Sequence, residues 1–138
     1  MVPGCEDSLK YRQILDYVSQ MKSNIPIILL AAGQSSRMRG RDKLLEHLDN
    51  QPLLRRQARL ALAVTDGPVF ITLPPAPHSR YDALAGLTRP ILVPVPDAAE
   101  GINASLRQGF AMLPQNSKAV MVLLSDLPEL SEHDLKKV

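Results

Sequence analysis

The sequence predicts an α/β protein, a three-layer α/β/α sandwich on a Rossmann-like, mostly parallel sheet. Three observations carry this. Four short apolar runs alternate with segments of helical periodicity. Two of those runs, IPIILLA and KAVMVLLSD, are nearly continuous in apolar residues, as strands buried on both faces are. The length of 138 residues suits one domain, since independent cores occupy about 100 to 200 residues.

The first element is a helix. Between Ser8 and Lys22, the residues Tyr11, Ile14, Leu15, Val18 and Met21 recur at helical spacing, so residues 1–24 are read as an N-terminal helical extension and 25–138 as the domain proper. The run from Ile25 to Ala31 is followed by glycine and reads as a fully buried central strand. Pro52 then opens a helix through Val64, because a residue lacking a backbone donor suits a first turn. Leu54, Ala58 and Ala61 share one face of it, and Arg55, Arg56 and Arg59 are expected to point into solvent.

Pro68 to Pro74 is the second strand, and a proline-rich turn leads into a weak helical segment from about Ser79 to Leu87. The third strand, Pro90 to Pro96, carries three prolines that cannot donate to a ladder, which predicts an edge position and short pairing. Ile102, Leu106, Gly109, Phe110 and Leu113 have the offsets of a helix packing one stripe on a sheet. Lys118 to Asp126 is the fourth strand, and Ser131 with Asp134 three residues later starts a last helix with a capping-box-like pattern. This alternation implies parallel strands, right-handed crossovers and helices on both faces. Ligands bind such sheets beyond the carboxyl ends of the strands where strand order reverses, so the loops after Ala31 and Asp126 are the first places to look.

Composition narrows the partners. A formal charge of +2 is too small for a nucleic-acid or membrane partner, which calls for a concentrated basic face. Cys5 is the one cysteine, which excludes an intramolecular disulfide and a cysteine-built metal site and fits a cytoplasmic location. No apolar run reaches the roughly 20 residues that span a bilayer, and the first 24 residues lack the regions of a signal peptide. His47, His78 and His133 show no metal-ligand spacing and are expected at the surface.

The positive charge that matters is local. Arg37, Arg39, Arg41 and Lys43 fall in the loop that leaves the first strand. Ala31, Ala32 and Gly33 open that loop with residues small enough for backbone amides to approach a phosphate or a base, and Leu30 just before them is counted with the nucleotide-binding candidates. Ser35 and Ser36 can donate hydroxyl hydrogen bonds, Arg37 can fork onto phosphate oxygens, and Lys43 adds a mobile point charge. Two familiar phosphate loops fail: Gly40 is not followed by Lys and Ser or Thr, and no glycine recurs after Gly33 at the dinucleotide spacing. A basic surface loop after a buried strand is the structural alternative.

The stretch LLAAGQSSRMRGRDKLLE resembles the opening of molybdenum cofactor cytidylyltransferases and of related molybdopterin-guanine dinucleotide synthases, a run of the form L-A-A-G-x-S-x-R-M closing on K-L-L. Two later stretches look like family segments in the right order, Glu100 to Gly109 and Val122 to Pro128. The resemblance covers Ile25 to about Leu135 and implies a sheet of the nucleotide-diphospho-sugar transferase type. Family members continue past the equivalent of Val138, with further strands and a second metal-binding acid, so the domain is expected to be incomplete at its C-terminus. Arg39 between Met38 and Gly40 departs from relatives that have glycine directly after the methionine. Lys43 retains its place before Leu44 and Leu45, so the resemblance implies a phosphate-binding role for it.

Asp126 closes the fourth strand, where a carboxylate can hold a hard cation such as Mg2+, and the resemblance assigns the metal to that position. Gly101 and Ser105, at the start of the fourth helix in the sequence, are further nucleotide-binding candidates. The activity implied is transfer of a nucleoside monophosphate from a nucleoside triphosphate to a phosphorylated acceptor, with Asp126, Lys43 and Arg37 as catalytic residues. The acceptor implied is molybdopterin, with CTP as favoured donor, GTP as its nearest competitor, and a molybdoenzyme or its chaperone as a further partner. The alternatives are a nucleotide-binding regulatory module without turnover and a sugar-phosphate nucleotidyltransferase.

Overall fold

A computed structural model of the chain describes residues 12–13, 24–33, 37–38 and 41–125, the pair 37–38 in its backbone alone. The sheet core comprises β1 (Ile27–Leu30), β6 (Val69–Leu73), β7 (Ile91–Pro94) and β8 (Met121–Leu124). Two small ribbons precede β6: β2 (Arg37–Met38) with β3 (Arg41–Asp42), and β4 (His47–Leu48) with β5 (Gln51–Pro52). Helices α1 (Leu53–Val64), α2 (Ser79–Ala83) and α3 (Ile102–Ala111) make the crossovers. The final helix expected after Ser131 and most of the N-terminal one lie outside the described residues. Among the described residues no helix is long and apolar enough to cross a membrane.

The four main strands are parallel and ordered β7-β6-β1-β8. After β1 the chain steps outward to β6 and β7, then returns to the other side of β1, so strand order reverses between β1 and β8. That is the switch point at which open α/β sheets bind ligands. β1 pairs on both sides, Leu29 lying opposite Ile71 and Leu123. Its four residues are all buried, which explains its unbroken apolar run. As the prolines of the third run predicted, β7 is an edge strand of the described sheet, four residues long.

Alternate side chains of β1 feed two cores. Ile27 and Leu29 pack with Leu54, Ala58 and Ala61 of α1, whereas Ile28 joins Phe70, Val93 and Leu106 on the face covered by α3. Each fully buried aliphatic side chain contributes about 1.5–3 kcal/mol relative to exposure. A Cβ on Gly109 would lie 2.9 Å from Ile28 Cγ2, so glycine lets α3 close onto the sheet.

Three expectations change. First, α2 ends at Ala83 rather than Leu87, because the chain leaves helical geometry at Leu84 and Gly86 adopts φ +90°. Second, Arg56 does not face solvent: it is 6% exposed and pairs with Asp49 at 3.2 Å. Asp49 and Asn50 both take positive φ in the two-residue β4–β5 turn, which swings the Asp49 carboxylate onto α1. Arg55 is likewise engaged, donating to the Ala85 carbonyl at 2.6 Å. Third, β8 is shorter than its apolar run, and Val122 and Leu124 are 39% and 43% exposed at the other edge of the described sheet.

Both ends of α1 are satisfied from outside the helix. Pro52 occupies the N-cap, and the first helical amide, Leu53 N–H, donates to the Glu46 carbonyl at 2.8 Å. At the other end Arg89 donates to the carbonyls of Leu62 and Thr65, a cation on orphan helix acceptors, and to that of Gly67 just beyond the helix.

Candidate functional site

The carboxyl end of β1 is fastened from three directions. Ala31 N–H donates to Thr72 O at 3.0 Å and lies 3.3 Å from Thr72 Oγ1, which ties it to β6. The Leu30 carbonyl accepts from the buried Ser125 hydroxyl at 2.5 Å, which ties it to the residue after β8. The third fastening is Arg80 of α2, whose Nη1 donates to the carbonyls of Ala31 at 2.6 Å and Gly33 at 3.0 Å. The loop therefore leaves the sheet from a fixed backbone.

Its far end is fixed by the same arginine. Arg80 Nε donates to Asp42 Oδ2 at 2.7 Å, and Nη2 to Asp42 Oδ1 at 3.1 Å. Asp42 Oδ1 also accepts from Leu44 N–H at 3.1 Å, capping the 3-10 turn Lys43–Leu45. Leu44 is buried beneath this turn, and Lys43 is half-buried on it. A charge-neutral, two-pronged pair thus joins both ends of the loop that carries the local cations.

Beside this fastening is a cavity of about 280 Å3 at the carboxyl ends of β1, β6 and β7. Ala32 and Gly33 form one wall, Pro74 and Pro75 a second, and Pro96 with Ala98 a third. His78 and Arg80 also border it. Such a mostly apolar slot with few polar groups has the chemistry of a small-ligand site. His78 is therefore no bystander at the surface: it is half-buried, and its Nδ1 accepts from Arg80 N–H at 3.1 Å, which fixes that nitrogen as an acceptor. Tyr81 O–H donates to Pro74 O at 2.7 Å, and burial pushes the phenol above its ordinary value of 10.0.

The expected site residues divide into groups. Leu30, Ala31, Ala32 and Gly33 lie at the carboxyl end of β1, at the switch point, and Lys43 follows Asp42, which Arg80 ties to Ala31 and Gly33. Arg37 contributes its backbone to β2, pairing with Asp42 across the ribbon. Ser35, Ser36 and Asp126 lie outside the described residues. Gly101 caps α3 with φ +108°, a conformation that favours glycine. Ser105 is 3% exposed inside α3, neither solvent-facing nor on the cavity wall. Near them Arg107 pairs with Asp97 at 3.5 Å on the exposed side.

Asp42, Thr72, Arg80 and Ser125 were not singled out by sequence reasoning. Asp42 carried a readable signal, an acid in a basic loop at N-cap spacing from Leu44. Arg80 carried none, because the partners of its guanidinium are 38 to 49 residues away.

Known proteins agree with this architecture. A probable molybdenum cofactor guanylyltransferase of Synechococcus elongatus is 37% identical over 111 residues, 78% of this chain and 53% of its own length. One from a Nostoc species is also 37% identical, over 109 residues that make up 78% of this chain and 48% of its own length. The bifunctional protein GlmU of Kineococcus radiotolerans is 30% identical over 81% of this chain and 23% of its own length. The chain thus spans about half the length of the guanylyltransferase relatives.

The crystal structure of Rv0371c from Mycobacterium tuberculosis superposes with a TM-score of 0.65 at 28% identity, over 83% of this chain and 58% of that one. Its complex with manganese gives 0.64 at 25% identity, over 83% and 57%. Residues 27–138 match the family described as the MobA-like NTP transferase domain, and the chain belongs to that family.

Proposed function

We propose that this chain binds a nucleoside triphosphate at the loop from Leu30 to Lys43 and transfers its nucleoside monophosphate to a phosphorylated acceptor of the molybdopterin type. One observation carries the reading: strand order reverses at β1, and the loop that leaves β1 there has both ends fixed beside an open cavity. The names of the 37%-identical relatives favour GTP over the CTP expected from sequence.

In the reaction an acceptor phosphate oxygen bonds to the α-phosphorus, the bond from that phosphorus to the bridging oxygen breaks, and pyrophosphate leaves. Lys43 and Arg37 offset charge on the departing pyrophosphate, and the rigid Ala31–Gly33 backbone sets where the α-phosphate lies. Among the described residues no group of three His, Cys, Asp or Glu is arranged to hold a metal ion. A single carboxylate would be enough to hold a hard divalent cation such as Mg2+ beside a triphosphate. Asp126 is the proposed carboxylate, being the residue directly after Ser125, whose hydroxyl is bonded to Leu30. When bound, the cation neutralises phosphate charge.

The experiment mixes the chain with GTP or CTP, Mg2+ and molybdopterin and measures both nucleotide binding and pyrophosphate. Binding that prefers GTP, with pyrophosphate released, is expected. Tight binding without product would instead favour a regulatory module, and product with a sugar phosphate alone would move the acceptor.

A further inference from the structure

Arg80 is the largest fully buried side chain described, and the reaction outlined above gives it no task. Its side chain is 1% exposed and its guanidinium already faces a carboxylate, so a phosphate oxygen would have to displace Asp42 to reach it. It is held at its own base as well, through Arg80 N–H on His78 Nδ1 and through Tyr81 O–H on Pro74 O. What it does hold is the loop. With Ala31 and Gly33 on Nη1 and Asp42 on Nε and Nη2, one planar fork sets the spacing between the start of the loop and the residue before Lys43.

We propose that Arg80 is a positioning residue for triphosphate binding, fixing Lys43 relative to the Ala31–Gly33 backbone without touching the nucleotide. The inference rests on the loop being the triphosphate site. Its physical basis is preorganisation: a loop whose ends are already tied loses less freedom when the anion binds. Lysine cannot replace the fork, since an ammonium on a flexible stem cannot hold two carbonyls and a bidentate carboxylate in one plane.

The test uses the full chain with Arg80→Lys, Lys43→Ala and the double variant, titrated with Mg2+ and GTP, alongside amide exchange across residues 31–44. Arg80→Lys should speed exchange of the loop amides and weaken GTP about tenfold, whereas adding it to Lys43→Ala should cost clearly less than that, because the part of its effect that runs through Lys43 is already lost. Should Arg80→Lys fold poorly, Asp42→Glu keeps the counter-charge while displacing the same fork from the other side, and is expected to give the same coupling. Wild-type GTP affinity in a folded Arg80→Lys, or a loss that adds fully to that of Lys43→Ala, overturns the proposal. If the unaltered chain binds neither GTP nor CTP, the nucleotide reading itself falls. Faster loop exchange in Arg80→Lys would then mark a fastener with no ligand role, which overturns the proposal too.

Discussion

Arg80 and Asp42, 38 residues apart in the chain, meet through two hydrogen bonds of 2.7 and 3.1 Å. Their side chains are 1% and 10% exposed, so the pair stands largely out of water. Pairs of this kind add little net stability when intact but cost several kcal/mol when one partner is removed.

Asp42→Asn should therefore destabilise the fold by about 3 kcal/mol, by leaving a buried guanidinium without its counter-charge. Denaturant unfolding would measure this, and a midpoint unchanged from wild type would contradict the buried-pair account.

Lys43 is half-buried on a short 3-10 turn and engages no carboxylate described here. Lys43→Ala is expected to leave the unfolding midpoint within about 0.5 kcal/mol of wild type. GTP affinity should fall at least about tenfold, and its decline with added salt should become shallower. Isothermal titration at two ionic strengths reads both.

Asp126→Asn should separate binding from chemistry. If the carboxylate places the metal, turnover drops about a hundredfold or more while affinity for metal-free GTP is unchanged. Equal losses in both would point instead to a contact with the nucleotide itself.

Gly109→Ala sets two effects against each other. Alanine improves helix propensity by about 1 kcal/mol. Its Cβ, however, would lie 2.9 and 3.0 Å from the Cγ2 and Cδ1 atoms of Ile28, a fully buried residue of the central strand. Overpacking costs about 1–3 kcal/mol, so net destabilisation is expected, as a lower urea midpoint at unchanged slope.

Tyr81 supplies a pH dependence. Burial raises its phenol above the ordinary 10.0, so the neutral form is favoured in the folded state. That contribution is fully present below the unfolded value and is lost as pH rises through the folded one. Wild-type stability should thus decline above pH 10.0, and Tyr81→Phe should remove that share of the slope. At neutral pH the same substitution costs about 1 kcal/mol through the lost bond to Pro74.

Much of the framework was legible in the chain itself. The unbroken apolar run around Ile28 marked a strand covered on both faces, and the prolines at positions 90, 94 and 96 marked an edge. Small residues followed by cations marked the loop after β1. These features depend on neighbours a few residues apart, and local periodicity records such neighbours directly. The tertiary structure alone decided that Arg56 turns inward to Asp49, that His78 supports Arg80, and that Arg80 ties Ala31 and Gly33 to Asp42. The partners of a buried charge are set by which strands lie side by side, and an arginine reads the same in sequence whether its guanidinium meets water or a carboxylate 38 residues away.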